Sequence, residues 1–136
     1  MKKHGILNSH ISHILADLGH TDTIVIADVG LPIPEHILKI DLALSFGKPS
    51  FEEVVKIVAD DMVIEKVIVA EQLALENKTT SHFINTHFNG IEIIEVSHDQ
   101  LKQLSHHAKA VIRTGEAKPY ANCILQAGVN FGATGG

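Results

Sequence analysis

Residues 18–34 read Leu-Gly-His-Thr-Asp-Thr-Ile-Val-Ile-Ala-Asp-Val-Gly-Leu-Pro-Ile-Pro, and the predicted fold is built outward from this stretch. The run Thr23–Ala27 is continuously apolar and largely β-branched, which is typical of a strand buried on both faces of a parallel sheet. Gly30–Pro34 predicts a stiff loop, because its two prolines lack backbone donors. His20 and Asp28 therefore lie at the two ends of one buried strand, where polar groups can face a ligand.

Helix patterns alternate with strand patterns on both sides of this strand. Apolar residues recur at helical spacing from Leu7 to Leu18, with Asn8 or Ser9 as the expected N-cap and Gly19 as the expected C-terminal stop. Further along the chain, the patterns predict a helix capped by Ser50, a polar break at Asn77–Ser81, a short helix at 83–88, a helix from Ser97 to about Ala108, and strands at Ile40–Leu44, Lys66–Ala70, Ile91–Val96, Lys109–Arg113 and Asn122–Ala127. This alternation predicts an α/β layered fold with a largely parallel sheet flanked by helices, in which the last two strands are a candidate antiparallel pair.

Composition is that of a globular domain. At 136 residues the chain is long enough for one domain with a sizeable core. Its hydrophobic content of 45% and charged content of 20% argue against disorder. We expect a single domain over residues 1–131 and a flexible tail over residues 132–136, for which an origin in an expression vector stays open.

Charge and cysteine content limit the kinds of partner that we expect the protein to bind and the compartment in which we expect it. The net charge is −5 and Arg113 is the only arginine, which argues against a nucleic-acid partner. No apolar run approaches the roughly 18 residues of a membrane-spanning helix, so we expect no membrane association. The lone Cys123 fits a reducing compartment such as the cytoplasm.

Three further side chains are candidate partners for the polar groups at the strand ends. His98 falls in the first turn of a capped helix, where the helix dipole favours a neutral ring that can both donate and accept hydrogen bonds. Tyr120 and Asn122 are two residues apart, so they face the same way if the chain is extended. Such groups suit the hydroxyls of a small sugar, although each can equally serve as a cap or turn residue.

One alternative site lies on the first predicted helix. His10, His13 and Asp17 have helical spacing and form a candidate metal site. The chain lacks the H-E-x-x-H pattern, so a solvated helix face is the favoured interpretation. Dinucleotide-binding, P-loop and nucleophile-elbow motifs are also missing from the sequence.

Several strings of residues resemble one known family. They are Lys2–Asn8, Asp17–Asp22, Ile26–Pro34, Val111–Glu116 and Pro119–Asn122. In this order they are similar to the ribose pyranase and fucose mutarotase family, and the resemblance extends from the first residues to about residue 131.

The resemblance implies a cytoplasmic isomerase of ribose catabolism that interconverts the pyranose and furanose forms of free D-ribose. It implies His20 as the catalytic residue and sugar-binding positions at Asp28, His98, Tyr120, Ala121 and Asn122. It also implies a ring-shaped homodecamer with active sites at subunit interfaces, and neither a cofactor nor a metal.

The residues themselves are compatible with this chemistry but leave alternatives open. Opening a sugar ring moves one proton from the anomeric hydroxyl and one onto the ring oxygen, which a positioned acid–base such as His20 can do. Asp28 is expected either to tune His20 or only to bind the sugar. Mutarotation of fucose or another aldose is one alternative function, and a non-catalytic sugar-binding accessory of ribose uptake is the other.

Overall fold

A six-stranded mixed sheet forms the centre of the computed structural model, which describes residues 1–131. The strands are β1 (Thr23–Ala27), β2 (Leu38–Asp41), β3 (Ile64–Ala70), β4 (Glu92–Val96), β5 (Ala110–Arg113) and β6 (Cys123–Ala127). The helices are α1 (Ser9–Asp17), α2 (Phe51–Asp61), α3 (Gln72–Glu76), α4 (Lys78–His87) and α5 (His98–Leu104), and a 3₁₀ turn at Ser105–His107 extends α5.

The strand order is β2-β5-β1-β6-β3-β4. Three neighbouring pairs are parallel, whereas β6 runs antiparallel to both β1 and β3. The predicted α/β class is therefore confirmed, and the antiparallel strand is the last one. Its partners are β1 and β3 rather than β5, because β5 already pairs with β2 and β1 on its two edges.

This topology carries the connection between β5 and β6 across the end of β1. β5 and β6 lie on opposite sides of β1, so residues 114–122 must pass over the carboxyl end of that strand. Thr114 N–H donates to the Ala27 carbonyl at 2.8 Å, and Val29 N–H donates to the Glu116 carbonyl at 2.9 Å. The crossing thus places the residues around 120 beside Asp28.

β1 is buried on both faces, as its apolar run predicts. Ile24 and Ile26 pack into a core cluster with residues of α1, α2 and α4, and Val25 and Ala27 pack into a second cluster with residues of α5. Full burial of such an aliphatic side chain contributes about 1.5–3 kcal/mol relative to an exposed one. The strand is therefore a rigid central element that fixes whatever lies at its two ends.

The turn before β1 differs in detail from its prediction. α1 ends at Asp17 with Leu18 as its C-cap, one residue earlier than the predicted stop at Gly19 implies, and Gly19 does not take a left-handed conformation. Instead, Gly19 N–H donates to the Asp22 carboxylate at 2.8 Å, and Thr21 has the positive φ of 73°. Thr21 N–H also donates to the Ala127 carbonyl at 2.9 Å, which ties the turn to the end of β6.

The segment 71–88 is more helical than predicted. α3 was not expected, and Asn77–Ser81 is not a break, because the first turn of α4 lies there. The Asn77 side chain accepts a hydrogen bond from Thr80 N–H and so caps α4. Ser, Thr and Asn lower helix propensity inside a helix but favour its N-terminal end. A polar run such as Asn77–Ser81 is therefore compatible with a helix start as well as with a break.

Two further predictions concern membranes and metals. Across residues 1–131, no helix combines the length and apolar character that crossing a bilayer demands. In the same part of the chain, no three His, Cys, Asp or Glu side chains are grouped closely enough to hold a metal ion, so His10, His13 and Asp17 do not form the alternative metal site. The predicted tail at residues 132–136 lies outside the described residues.

Candidate active site

Asp28 follows β1 directly and is anchored by the loop that succeeds the strand. One carboxylate oxygen accepts hydrogen bonds from Gly30 N–H and Leu31 N–H, both at 2.9 Å. Burial raises the pKa of the Asp28 carboxyl, and these two bonds together with one from Asn122 act in the opposite direction. The group is thus fixed in place, and because one oxygen already accepts two hydrogen bonds and the other accepts one, the second oxygen keeps a lone pair for a sugar hydroxyl.

Asn122 is the main side-chain partner of Asp28. Its amide oxygen accepts from Asp28 N–H at 2.8 Å, and its Nδ2 donates to the second oxygen of the Asp28 carboxylate at 3.2 Å. Only 1% of Asn122 is exposed. Two residues of the predicted site are therefore in direct contact, and Asn122 holds Asp28 in position.

His98 and Tyr120 form a second part of the candidate site, and they contact each other. Their rings meet edge to face with centroids 5.1 Å apart. His98 is the first residue of α5, and its backbone N–H donates to the Gln72 side chain at 3.2 Å. Tyr120 lies in the turn before β6 with a φ of 57°, so the extended arrangement considered for Tyr120 and Asn122 does not form. The turn at Tyr120, rather than an extended chain, therefore brings the two rings into contact.

The His98 ring is poised as a neutral hydrogen-bonding group. Burial is the largest effect that lowers the pKa of His98, followed by the nearby Lys102, whereas Asp28 and Asp99 oppose the shift. The neutral ring expected from the sequence is thus supported, with burial as its main cause. Its Nδ1 is buried and makes no hydrogen bond within residues 1–131. A neutral ring can pair with a hydroxyl group of a ligand through a nitrogen that reaches the cavity.

These groups border a shallow cavity of about 300 Å³. Asp28, Gly30, Leu31, His98, Pro119 and Tyr120 line it. A carboxylate, an imidazole and a phenol on one small cavity can bind several hydroxyl groups at once. Ala121 is fully buried and its side chain belongs to the core, so only its backbone could serve a ligand.

His20 does not join this cavity within one chain. It precedes β1 whereas Asp28 follows it, and the five residues of the strand separate the two by roughly 16 Å at about 3.3 Å per residue. His20 is half exposed, and its Nε2 lies 3.0 Å from a carboxylate oxygen of Glu65. The other Glu65 oxygen accepts a 2.7 Å hydrogen bond from the Gln126 side chain.

Glu65 is a partner that sequence reasoning missed. The hydrogen bond from Gln126 is the largest cause that lowers the pKa of Glu65, followed by the one from His20. An ionised carboxylate only accepts hydrogen bonds, so the proton of this contact lies on His20 Nε2 and Nδ1 faces away from Glu65. The pair spans 45 residues of sequence, and no local pattern could have indicated it.

Comparisons with known proteins agree with this architecture. The chain is 58% identical over 131 residues to D-ribose pyranase of Bacillus licheniformis, a match that covers 96% of this chain and all of the relative. The structure of Bacillus subtilis RbsD complexed with D-ribose superposes with a TM-score of 0.94 at 56% identity, covering 96% of this chain and 100% of that one. The fucose mutarotase of Streptococcus pneumoniae, solved with L-fucose, shares the fold with a TM-score of 0.73 at 22% identity over 95% of this chain and 99% of that one.

The family assignment rests on nearly the whole chain. A profile of the RbsD / FucU transport protein family matches residues 1–130, which include both ends of β1 and the cavity at its carboxyl end. No part of the described sheet lies outside that match. The chain therefore belongs to the RbsD / FucU family.

Proposed function

We propose that this protein is an isomerase that interconverts the pyranose and furanose forms of free D-ribose. The observation that carries the proposal is the full-length similarity, at 56–58% identity, to proteins named D-ribose pyranase. The cavity supports it, because its carboxylate, imidazole and phenol suit a polyhydroxylated ligand and its volume of about 300 Å³ exceeds that of a pentose.

The reaction needs only proton transfers at oxygen. In the pyranose, the anomeric hydroxyl loses its proton as the bond from C1 to the ring oxygen O5 breaks, and O5 gains a proton. The open-chain aldehyde then closes when the O4 hydroxyl adds to C1, O4 loses its proton and the carbonyl oxygen gains one. A positioned acid–base typically accelerates such steps by about 10²–10⁴-fold.

His20 supplies the acid–base, and the cavity residues hold the sugar. Asp28 and His98 bind hydroxyl groups, Tyr120 packs against the sugar and offers its phenol, and Ala121 contributes backbone. Asn122 keeps the Asp28 carboxylate in position through its two hydrogen bonds. Asp28 thus binds the substrate rather than tuning the histidine of its own chain, which lies at the far end of β1.

The distance between these groups is the observation that supports a second subunit at each site. Because one chain holds His20 and the cavity at opposite ends of a rigid strand, the His20 that acts at a cavity comes from a neighbouring copy. A ring-shaped homodecamer with active sites at subunit interfaces provides such an arrangement. The buried, lone Cys123 and the similarity to sugar-metabolism enzymes favour a cytoplasmic location.

The test of function is exchange between ribose ring forms. Adding the protein to equilibrated D-ribose should accelerate magnetisation exchange between pyranose and furanose signals in NMR, and a chelator should leave the rate unchanged because no step uses a metal. Parallel measurements with L-fucose separate the ribose enzyme from a fucose mutarotase. Binding of ribose without acceleration would favour the non-catalytic accessory, and a rate abolished by chelator and restored by zinc would overturn the mechanism.

Glu65 is expected to act as a positioning residue for His20. In Glu65→Gln, the new amide would direct its oxygen to the Gln126 amide and its NH₂ group to His20, which favours the tautomer protonated on Nδ1. We expect the exchange rate to fall about tenfold or more, as misorientation of a catalytic base does. Glu92→Gln is the matched control, since Glu92 is exposed on β4 with only a 4.0 Å contact to Lys66. Equal rates in the two variants would remove Glu65 from the mechanism.

A further inference from the structure

Asn77 is a buried side chain that joins two helices to the turn at Tyr120. Its backbone N–H donates to the Leu73 carbonyl at 2.9 Å at the end of α3, and its side-chain oxygen accepts from Thr80 N–H at 3.2 Å at the start of α4. Its Nδ2 donates to the Pro119 carbonyl at 2.9 Å, although 42 residues separate the two in sequence. Only 7% of Asn77 is exposed. The Asn77 side chain is therefore fixed by both helices and binds the Pro119 carbonyl in a defined position.

The peptide that Asn77 holds leads directly into an unfavourable conformation. Tyr120 has a φ of 57°, in the left-handed region that residues with a Cβ rarely adopt. Such a conformation persists only where neighbouring contacts impose it. On one side of Tyr120 the Pro119 carbonyl is bound by Asn77, and on the other the Tyr120 carbonyl accepts from Asn122 N–H at 2.8 Å. Both peptide units that flank Tyr120 are thus restrained.

We propose that Asn77 is a positioning residue that sets the Tyr120 ring against His98 and so determines sugar affinity, a role that rests on the proposed function. Asn77 does not line the cavity, whereas Pro119 and Tyr120 do. It acts through the turn, by fixing the peptide from which the Tyr120 ring projects. Loss of its donor should therefore weaken ribose binding while the proton transfers at His20 continue.

Asn77→Asp replaces the Nδ2 donor by an oxygen and leaves the rest of the side chain almost unchanged in shape. Aspartate caps a helix as well as asparagine does, so α4 keeps its N-cap. The Pro119 carbonyl, however, would face a carboxylate oxygen in place of the Nδ2 donor, and rotating the side chain would not help because both oxygens are acceptors. Asn77→Ser is the second, uncharged variant, which keeps a capping oxygen but is too short to reach the carbonyl. If the buried carboxylate prevents Asn77→Asp from folding, Asn77→Ser tests the positioning role instead.

Asn85→Asp is the matched control on the same helix. The Asn85 Nδ2 donates to the Ser81 carbonyl at 2.9 Å, and its side chain is exposed. The substitution removes the same donor from a backbone carbonyl, but on a carbonyl within α4 rather than in the turn. Loss of an amide donor is therefore common to both variants, whereas the helix dipole favours the new charge at the N-terminus of α4 and disfavours it near the C-terminus, so the uncharged Asn77→Ser separates the lost donor from the charge.

Tyr120 provides its own reporter, because the chain contains one tyrosine and no tryptophan. Tyrosine fluorescence and the tyrosine band of the near-UV circular dichroism spectrum, which lies at longer wavelength than the phenylalanine bands, therefore report the environment of Tyr120. We expect Asn77→Asp and Asn77→Ser to change this signal without ribose and to raise the half-saturating ribose concentration about tenfold, as expected for a lost buried hydrogen bond. The rate at saturating ribose should stay within about a factor of three of wild type.

The two readouts separate this inference from the proposed function. A changed tyrosine signal in the Asn77 variants, with Asn85→Asp like wild type, supports the positioning role even if the wild-type protein exchanges no ribose forms. The exchange rate of the wild-type protein tests the function by itself. A wild-type tyrosine signal and half-saturation in both Asn77 variants overturns the role of Asn77. The role is also overturned if the Asn77 variants lower the exchange rate at saturating ribose and leave the half-saturating ribose concentration unchanged. The same holds if Asn85→Asp changes the tyrosine signal and the half-saturating concentration as much as the Asn77 variants do.

Discussion

The His20→Ala variant is expected to exchange ribose ring forms about 10²–10⁴-fold more slowly than wild type, the contribution typical of a general acid–base. The fold should persist, because His20 is half exposed and its side-chain contact is an exposed pair with Glu65. Such surface pairs contribute about 0–1 kcal/mol. Ribose binding should fall less than the rate, since Asp28, His98 and Tyr120 remain in place. NMR exchange rates, thermal unfolding and ribose titration of Tyr120 fluorescence measure the three quantities.

His10→Ala is the control for this experiment. His10 is exposed on α1, and its loss should leave the rate and the unfolding temperature nearly unchanged. If His20→Ala exchanged ribose forms at the wild-type rate, the assignment of the acid–base would be wrong and a binding protein would be the better interpretation.

Mixed assemblies of His20→Ala and Asp28→Asn subunits are expected to recover activity that neither variant has alone. Asp28→Asn should be nearly inactive, because the new NH₂ group must face either the Asn122 donor or the donors of Gly30 and Leu31. When each site combines His20 of one subunit with Asp28 of another, random co-assembly in equal amounts leaves about one quarter of the sites intact. The mixture should then exceed either parent by on the order of tenfold or more.

The assay compares co-refolded subunits with parents that are assembled separately and then mixed. Sedimentation of the same samples establishes that an oligomer is present. Activity of the co-refolded sample equal to the mean of the two parents would place His20 and Asp28 of each working site in one chain. A stable species near the chain mass of 14.8 kDa at micromolar concentration would remove the subunit interface altogether.

Local signals in the sequence were sufficient for most individual elements. The capping box of Ser50 and Glu53 forms as predicted, and β1 has the predicted bounds, because each depends on residues close in sequence. The first turn of α4 lies where a break is predicted, because a polar run is typical both of a break and of a helix N-terminus. Its capping contact from Asn77 becomes evident only when the helix that follows is known.

Long-range contacts explain what sequence patterns could not predict. β6 lies between β1 and β3, an arrangement fixed by strand pairing rather than by any pattern within Cys123–Ala127. Asp28 and Asn122 meet across 94 residues, and that contact was predicted only as a shared site. Sequence patterns identified the polar candidate residues and the resemblance to the family added Ala121 and the individual roles, whereas the separation of His20 from the cavity follows from the direction of β1.

The direction of β1 has a further consequence for an assembly with shared sites. In the proposed assembly each subunit would present two different parts of a site, His20 at one end of β1 and the cavity at the other, as in a head-to-tail chain. An open row of subunits always leaves one histidine and one cavity unmatched at its ends. Closing the row into a ring matches every part, so the last subunit to join completes two sites at once. Single chains released by dilution would carry all the functional side chains and no working site.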